Sequence, residues 1–154
     1  MGYVVLLELH SWCRWVVLVS AVVVLLKSWG GLWTGRAWQP GDGHAVRVWV
    51  GATDTQLLLG LSLYSVGSPL AAMARQAGRA AWGEPSLRFF GYLHPVLMLL
   101  AVAATHATWV WTRRASRDEV RFWRLVRGLL GTALTVSLAM PWPFLAYGRP
   151  LFRV

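Results

Sequence analysis

The sequence predicts an all-α fold: an integral membrane four-helix bundle with a short interfacial helix between the second and third spans. The chain has 154 residues, 56% of them hydrophobic, and a mean hydropathy of +0.49. That is too apolar for an ordinary soluble domain. Four apolar stretches each reach the roughly 20 residues that a bilayer core demands. None shows the alternation of a strand, so helices are the spanning element.

The first span runs over about residues 4–26. No basic residue precedes it and Glu8 lies inside it, so it reads as a retained helix and not as a cleavable signal. The following link carries Gln39-Pro40-Gly41-Asp42-Gly43, which reads as a turn. The second span covers about 45–66. In the next link Pro69 can open a helix, and an alanine-rich run follows with Arg75 and Arg79 four apart. This is the short helix expected at the headgroups. The third span covers about 88–111. Ser116, with Glu119 three residues on, predicts a capping box opening the fourth span, about 120–140. Pro141-Trp142-Pro143 stops that helix. The whole chain, 1–154, reads as one transmembrane domain.

The net charge of +9 comes from 14 Arg and one Lys against 6 acids. Most of these cations lie in links between apolar runs, where they fix topology, so a nucleic-acid partner is not expected and anionic membrane lipids are. The first and third links, with their flanks, carry Lys27, Arg36, Arg47, Arg113, Arg114, Arg117, Arg121, Arg124 and Arg127. The second link and the tail carry Arg75, Arg79, Arg88, Arg149 and Arg153. The richer side is expected to be cytoplasmic, which puts both termini on the periplasmic side of a bacterial inner membrane. Trp29, Trp33, Trp49, Trp109, Trp111 and Trp123 read as an aromatic belt at the cytoplasmic ends. The single cysteine, Cys13, excludes an intrachain disulfide and a covalent haem attachment motif.

Polar residues within spans are costly, and each needs a reason. His10 and His94 each lie about six residues inside the same end of parallel helices, roughly 9 Å below the outer face. Two histidines at matched depth suit bis-imidazole ligation of one haem iron. Arg14, four residues after His10, shares its face and is placed to neutralise a propionate or to pair with another helix. Its expected acidic partner is Asp54. Depth counting puts Arg14 ~15 Å below the outer face and Asp54 ~13 Å above the inner one. The face of His94 includes Gly91, Met98, Ala101 and Thr105, mostly small residues that leave room for a macrocycle or for close helix packing. Pro95 frees a backbone carbonyl one turn earlier. His106 lies ~18 Å further along the same helix and points ~120° away from His94. A second haem would have to use His106 with His44, near the inner face. No hydrolase signature, zinc-protease motif or phosphate loop is present.

These residues resemble a family of small four-helix bacterial membrane proteins labelled cytochrome-b-like. The resemblance rests on His10-Ser-Trp-Cys-Arg14-Trp15, Gln56-Leu-Leu-Leu-Gly60, Arg88-Phe-Phe, His94-Pro95, His106 and Pro141-Trp142-Pro143, and so covers nearly the whole chain. It departs at Leu93, where the family is associated with a Glu before the His-Pro pair. It implies the four-helix fold and, with the two histidines, haem b held by His10 and His94.

The expected function is electron transfer as a subunit of a larger respiratory or photosynthetic assembly, between a quinone and a periplasmic electron carrier. The sequence leaves open whether the chain is itself an enzyme and favours a non-catalytic electron-transfer or accessory subunit. The alternative is a cofactor-free accessory subunit of a membrane complex. A small transporter using Glu8, Asp54 and the histidines is a further alternative, though no span is clearly broken at mid-membrane.

Overall fold

The computed structural model describes residues 2–151 and contains helices but no strand among them. Arg153, one of the cations expected on the outer side, lies outside the described residues. The long helices are α1 (Gly2–Thr34), α2 (Pro40–Ser62), α5 (His94–Arg113) and α6 (Asp118–Ala139). Two short ones, α3 (Pro69–Ala77) and α4 (Pro85–Arg88), lie between α2 and α5. α1 packs along α2 and α6, and α5 packs along α6 and α2.

Two helical stretches, Gly2–Thr34 and Pro85–Arg113, are long and apolar enough to cross a membrane. α2 reaches that standard only jointly with the segment after it, from which it is bent by 61°. α6 is not in this class, because Asp118, Glu119, Arg121, Arg124 and Arg127 crowd its first half. The packing pattern is that of helices in lipid. Large apolar side chains such as Val19, Leu26, Leu58, Leu130 and Leu134 point outward, while Ser28, Thr53, Thr105, Thr108 and Thr112 are buried. Small hydroxyl residues and glycines let helix backbones approach closely. At Gly128 any Cβ would collide with Thr108, so the α5–α6 contact depends on glycine there.

α1 continues to Thr34, well past the expected boundary near residue 26, because no proline interrupts it. Gly35 ends it in the left-handed conformation, φ +63°. The segment read as a turn is the start of α2 instead. Pro40 takes the first helical position, and Asp42 at the third accepts the Gln39 backbone N–H at 2.9 Å.

Asp42 is almost fully buried and anchors this end. Arg36 donates to both its oxygens, at 2.7 and 2.9 Å, and Lys27 Nζ lies 3.2 Å away. Burial alone would raise the Asp42 carboxyl. The Arg36 hydrogen bonds, the Gln39 N–H and Lys27 outweigh that and hold it below the usual carboxylate range. Next to it Asp118 accepts the Trp38 backbone N–H and an Arg121 N–H, both at 3.0 Å. The cap of α6 is therefore Arg117 and not Ser116, since the neighbouring carboxylate of Asp118 already ties the turn to the α1–α2 link. Trp49 also departs from expectation. It is 1% exposed in a core with Val24, Val46, Leu125 and Leu129, whereas Trp33 is 83% exposed.

At the opposite end α2 passes into a π-helical turn (Leu63–Gly67), and Ser68 caps α3 by accepting the Ala71 N–H at 3.2 Å. α3 buries Ala71 and Ala74 and exposes Arg75. Gly78, φ +53°, stops it, so Arg79 falls in the following 3₁₀ segment and does not share a helix with Arg75. A second π-helical turn (Phe89–Leu93) leads into α5. Pro95 cannot donate to the Gly91 carbonyl, and the Tyr64 hydroxyl donates to it instead at 3.0 Å. Gly91 also lets α3 approach, since a Cβ there would collide with Ala74. α6 ends at Met140, held extended before Pro141. The chain then folds back: Tyr147 stacks on Phe89 at 3.9 Å, and Arg149 lies over Phe90 at 5.0 Å.

Candidate functional site

His10 and His94 meet between the helices, near one end of the molecule. Their helices, α1 and α5, face each other across the interior instead of packing side by side. The ring centroids are 6.4 Å apart, with the planes at 69°. A cavity of about 220 Å³ adjoins them, lined among others by Arg14, Gln56, Met98 and Arg149, and otherwise mostly apolar. Met98 and Ala101, on the predicted face of His94, are in its wall.

The two imidazoles are held differently. His94 Nδ1 is 2.7 Å from the Ala139 carbonyl. A carbonyl only accepts, so Nδ1 carries the proton and Nε2 of the neutral ring presents a lone pair. Ala139 has this carbonyl to give because its helical donor would be residue 143, a proline. The Pro141-Trp142-Pro143 stop thus orients a histidine on another helix.

His10 Nε2 is 3.2 Å from the Gln56 side-chain amide, while His10 Nδ1 and Gln56 Oε1 are buried with no hydrogen-bond partner. Whichever way the amide is turned, one buried ring nitrogen has no hydrogen-bond partner among the described residues, which costs free energy. Gly60 faces this ring. A Cβ there would lie 3.2 Å from His10 Cε1, so the glycine makes room for it.

Arg14 donates to Ser11 Oγ at 3.2 Å and to the Leu151 carbonyl, which ties the folded-back tail to α1 beside the cavity that Arg149 and Pro150 help to line. The expected Arg14–Asp54 pair is not formed. Matched depth did not supply matched direction: Arg14 turns to the tail, and Asp54 lies on the α2 face toward α5. There Asp54 accepts His106 Nε2 at 2.8 Å, with both side chains nearly half exposed. His44 borders an outer groove between α1 and α2, together with Lys27. His44 and His106 therefore lie at different helix seams and are not brought together.

The Arg36–Asp42–Lys27 cluster, with Asp42 buried and the two cations half-buried, was not expected from the sequence. Asp42 three residues after Gln39, with proline between, was the available signal. Among the described residues no group of three or more His, Cys, Asp or Glu converges to hold a metal ion. Bis-histidine haem needs only two protein ligands. Two metal–nitrogen bonds of about 2 Å plus the ring radii separate axial imidazole centroids by roughly 6 Å. The pair here fits that spacing, His94 presents its Nε2, and His10 would have to release Gln56. The cavity is smaller than the ~300–1,000 Å³ usual for ligand sites, so side chains would swing aside for a macrocycle. Comparison with protein-family models, curated proteins and solved structures gives no match.

Proposed function

We propose that the chain is a multi-pass, four-helix protein of a bacterial inner membrane with both termini on the periplasmic side. It holds haem b between His10 and His94, with Arg14 beside a propionate. The observation that carries this reading is the facing imidazole pair at 6.4 Å, one ring anchored through Nδ1 by a backbone carbonyl. Such anchoring is the usual support of a histidine ligand. The haem would supply one-electron transfer, and two strong axial ligands favour that over oxygen chemistry. The chain's own residues set ligand orientation, exclude water with the Met98 and Phe90 side of the cavity, and place Arg14 and Arg149 near charge. The redox partners would be a membrane quinone and a periplasmic carrier within a larger respiratory or photosynthetic assembly. α3 would rest at the headgroups, where Arg75 is exposed.

The test is a reduced-minus-oxidised visible spectrum of the detergent-purified protein from haem-replete cells, beside His10→Ala and His94→Ala. A sharp low-spin b-type α-band in the wild type is expected, lost in both variants and replaced in His10→Ala by the broad band of a haem held by His94 alone. A colourless wild type, purified with its native partners retained, overturns the reading. One observation favours the second reading, a cofactor-free accessory subunit. Each imidazole already ties two helices together, His10 to Gln56 on α2 and His94 to Ala139 on α6.

A further inference from the structure

We infer that the α2–α5 face carrying Asp54 and His106 is the contact between two copies of this chain within the bilayer. The inference rests on the membrane placement above and not on haem. Asp54 and His106 lie within the apolar stretches of their helices, yet their side chains are 43% and 49% exposed. Facing hydrocarbon, an aspartate–histidine pair is costly, and groups of this kind in membrane helices normally face protein or a water-filled cavity. Here they face outward, away from the cavity of His10 and His94.

The surroundings are those of a helix contact. On α2, Gly51 and Thr55 flank Asp54, and on α5, Ala103 and Ala107 flank His106, all four exposed. A Cβ at Gly51 meets nothing within 4 Å, so this glycine serves no packing inside the chain. The Thr55 hydroxyl is satisfied by the Gly51 carbonyl at 2.8 Å and adds no polar cost. Small residues around a hydrogen-bonding pair are what close helix association in lipid uses.

The charge pattern selects a second copy as the occupant. One acid and one base side by side form a self-complementary patch. A two-fold axis beside it sets each Asp54 against the partner copy's imidazole and each His106 against its carboxylate. Each group has capacity left for this. Only Nε2 of His106 and Oδ1 of Asp54 are engaged within the described chain. The ring's Nδ1 and the carboxylate's second oxygen are the hydrogen-bonding atoms left for a partner copy. No other partner is required to satisfy either group.

The test is single-molecule photobleaching of the full-length fluorescent chain in liposomes, as protein is diluted into lipid. Insertion is checked separately by resistance to alkaline extraction, so that a failure of the membrane reading is seen apart from a failure to pair. Wild type is expected to bleach in two steps and to dissociate on dilution. Asp54→His and His106→Asp, each alone, put like charges across the axis. Each is expected to weaken pairing at least tenfold, the scale of two lost interhelical hydrogen bonds per dimer plus repulsion. Mixing these two variants restores pairing between the copies, because one then carries two bases and the other two acids. Gly51→Leu, which the single chain has room for, also abolishes pairing and covers the case in which a charge variant does not fold. An inserted wild type that stays monomeric at high density overturns the inference. So does a mixture that pairs no better than its components, or a Gly51→Leu chain that dimerises like wild type.

Discussion

The Asp42 end and the histidine end of this molecule satisfy their polar groups in opposite ways. At the Asp42 end the carboxylates are well partnered: buried Asp42 takes Arg36, Lys27 and the Gln39 N–H, and half-buried Asp118 takes Trp38 and Arg121. Aromatic rings fill the rest, with Trp38 5.3 Å from Phe122 and Arg36 over Phe122 at 5.0 Å. At the histidine end His10 Nδ1 and Gln56 Oε1 are buried without a hydrogen-bond partner, two π-helical turns interrupt the helices, and a cavity remains; the Asp42 end leaves the Thr112 hydroxyl in the same position but keeps regular helices. π turns recur at functional sites, and natural sequences break local rules chiefly where function asks for it. One end thus ties helices together through charge, and the other leaves a cavity beside its two histidines.

The largest effect expected from this contrast is at Asp42. Asp42→Ala leaves Arg36 and Lys27 crowded without their counter-charge and should cost about 3 kcal/mol, read as a fall in the thermal midpoint in detergent. His10→Ala should cost about 1 kcal/mol in the cofactor-free protein, because it removes one hydrogen bond and an unmet nitrogen together. Equal losses at the two ends would break the comparison.

Gly91→Ala probes what holds the histidine end in place of charge. The added methyl meets Ala74 and should cost about 2 kcal/mol, with Ala74→Gly in the same chain recovering part of it. Full additivity of the two substitutions would mean that α3 does not press on this turn.

Acid titration sharpens the difference. The Asp42 carboxyl is held below its ordinary value, so its contribution is complete above the unfolded carboxylate pKa of about 3.9. It is lost as pH falls through the lower folded value. Stability measured from pH 6 down to pH 2 should therefore drop less in Asp42→Asn than in wild type. Matching pH profiles would count against the cluster.

Much of this was legible in the sequence, and the reasons it failed elsewhere are physical. The meeting of His10 and His94 follows from depth along parallel helices, and the Pro95 vacancy and the stop at Pro141 follow from a missing N–H. Direction around a helix axis is harder to read. Arg14 and Asp54 matched in depth but turned to different neighbours, and Trp49 turned inward while Trp33 stayed on the surface. Tertiary capture explains the rest. Asp42 looked like part of a turn because Arg36 and Lys27, which bury it, come from the preceding link and helix. The tail's return beside the cavity had no local signal.

The smallest expected effect concerns Gln56. Gln56→Ala should change stability by no more than about 1 kcal/mol but tighten haem binding in a titration, since it releases His10 Nε2. Weaker binding would mean that Gln56 supports the ligand instead of competing for it.

Ligation by both histidines is tested most simply by a carbon monoxide difference spectrum of the reduced protein, wild type beside His10→Ala. With both imidazoles on the iron, wild type should show no carbon monoxide adduct. His10→Ala should keep its haem on the anchored His94 and bind carbon monoxide at the opened position. A wild type that lacks haem, or that binds carbon monoxide as readily as the variant, would contradict the bis-histidine account.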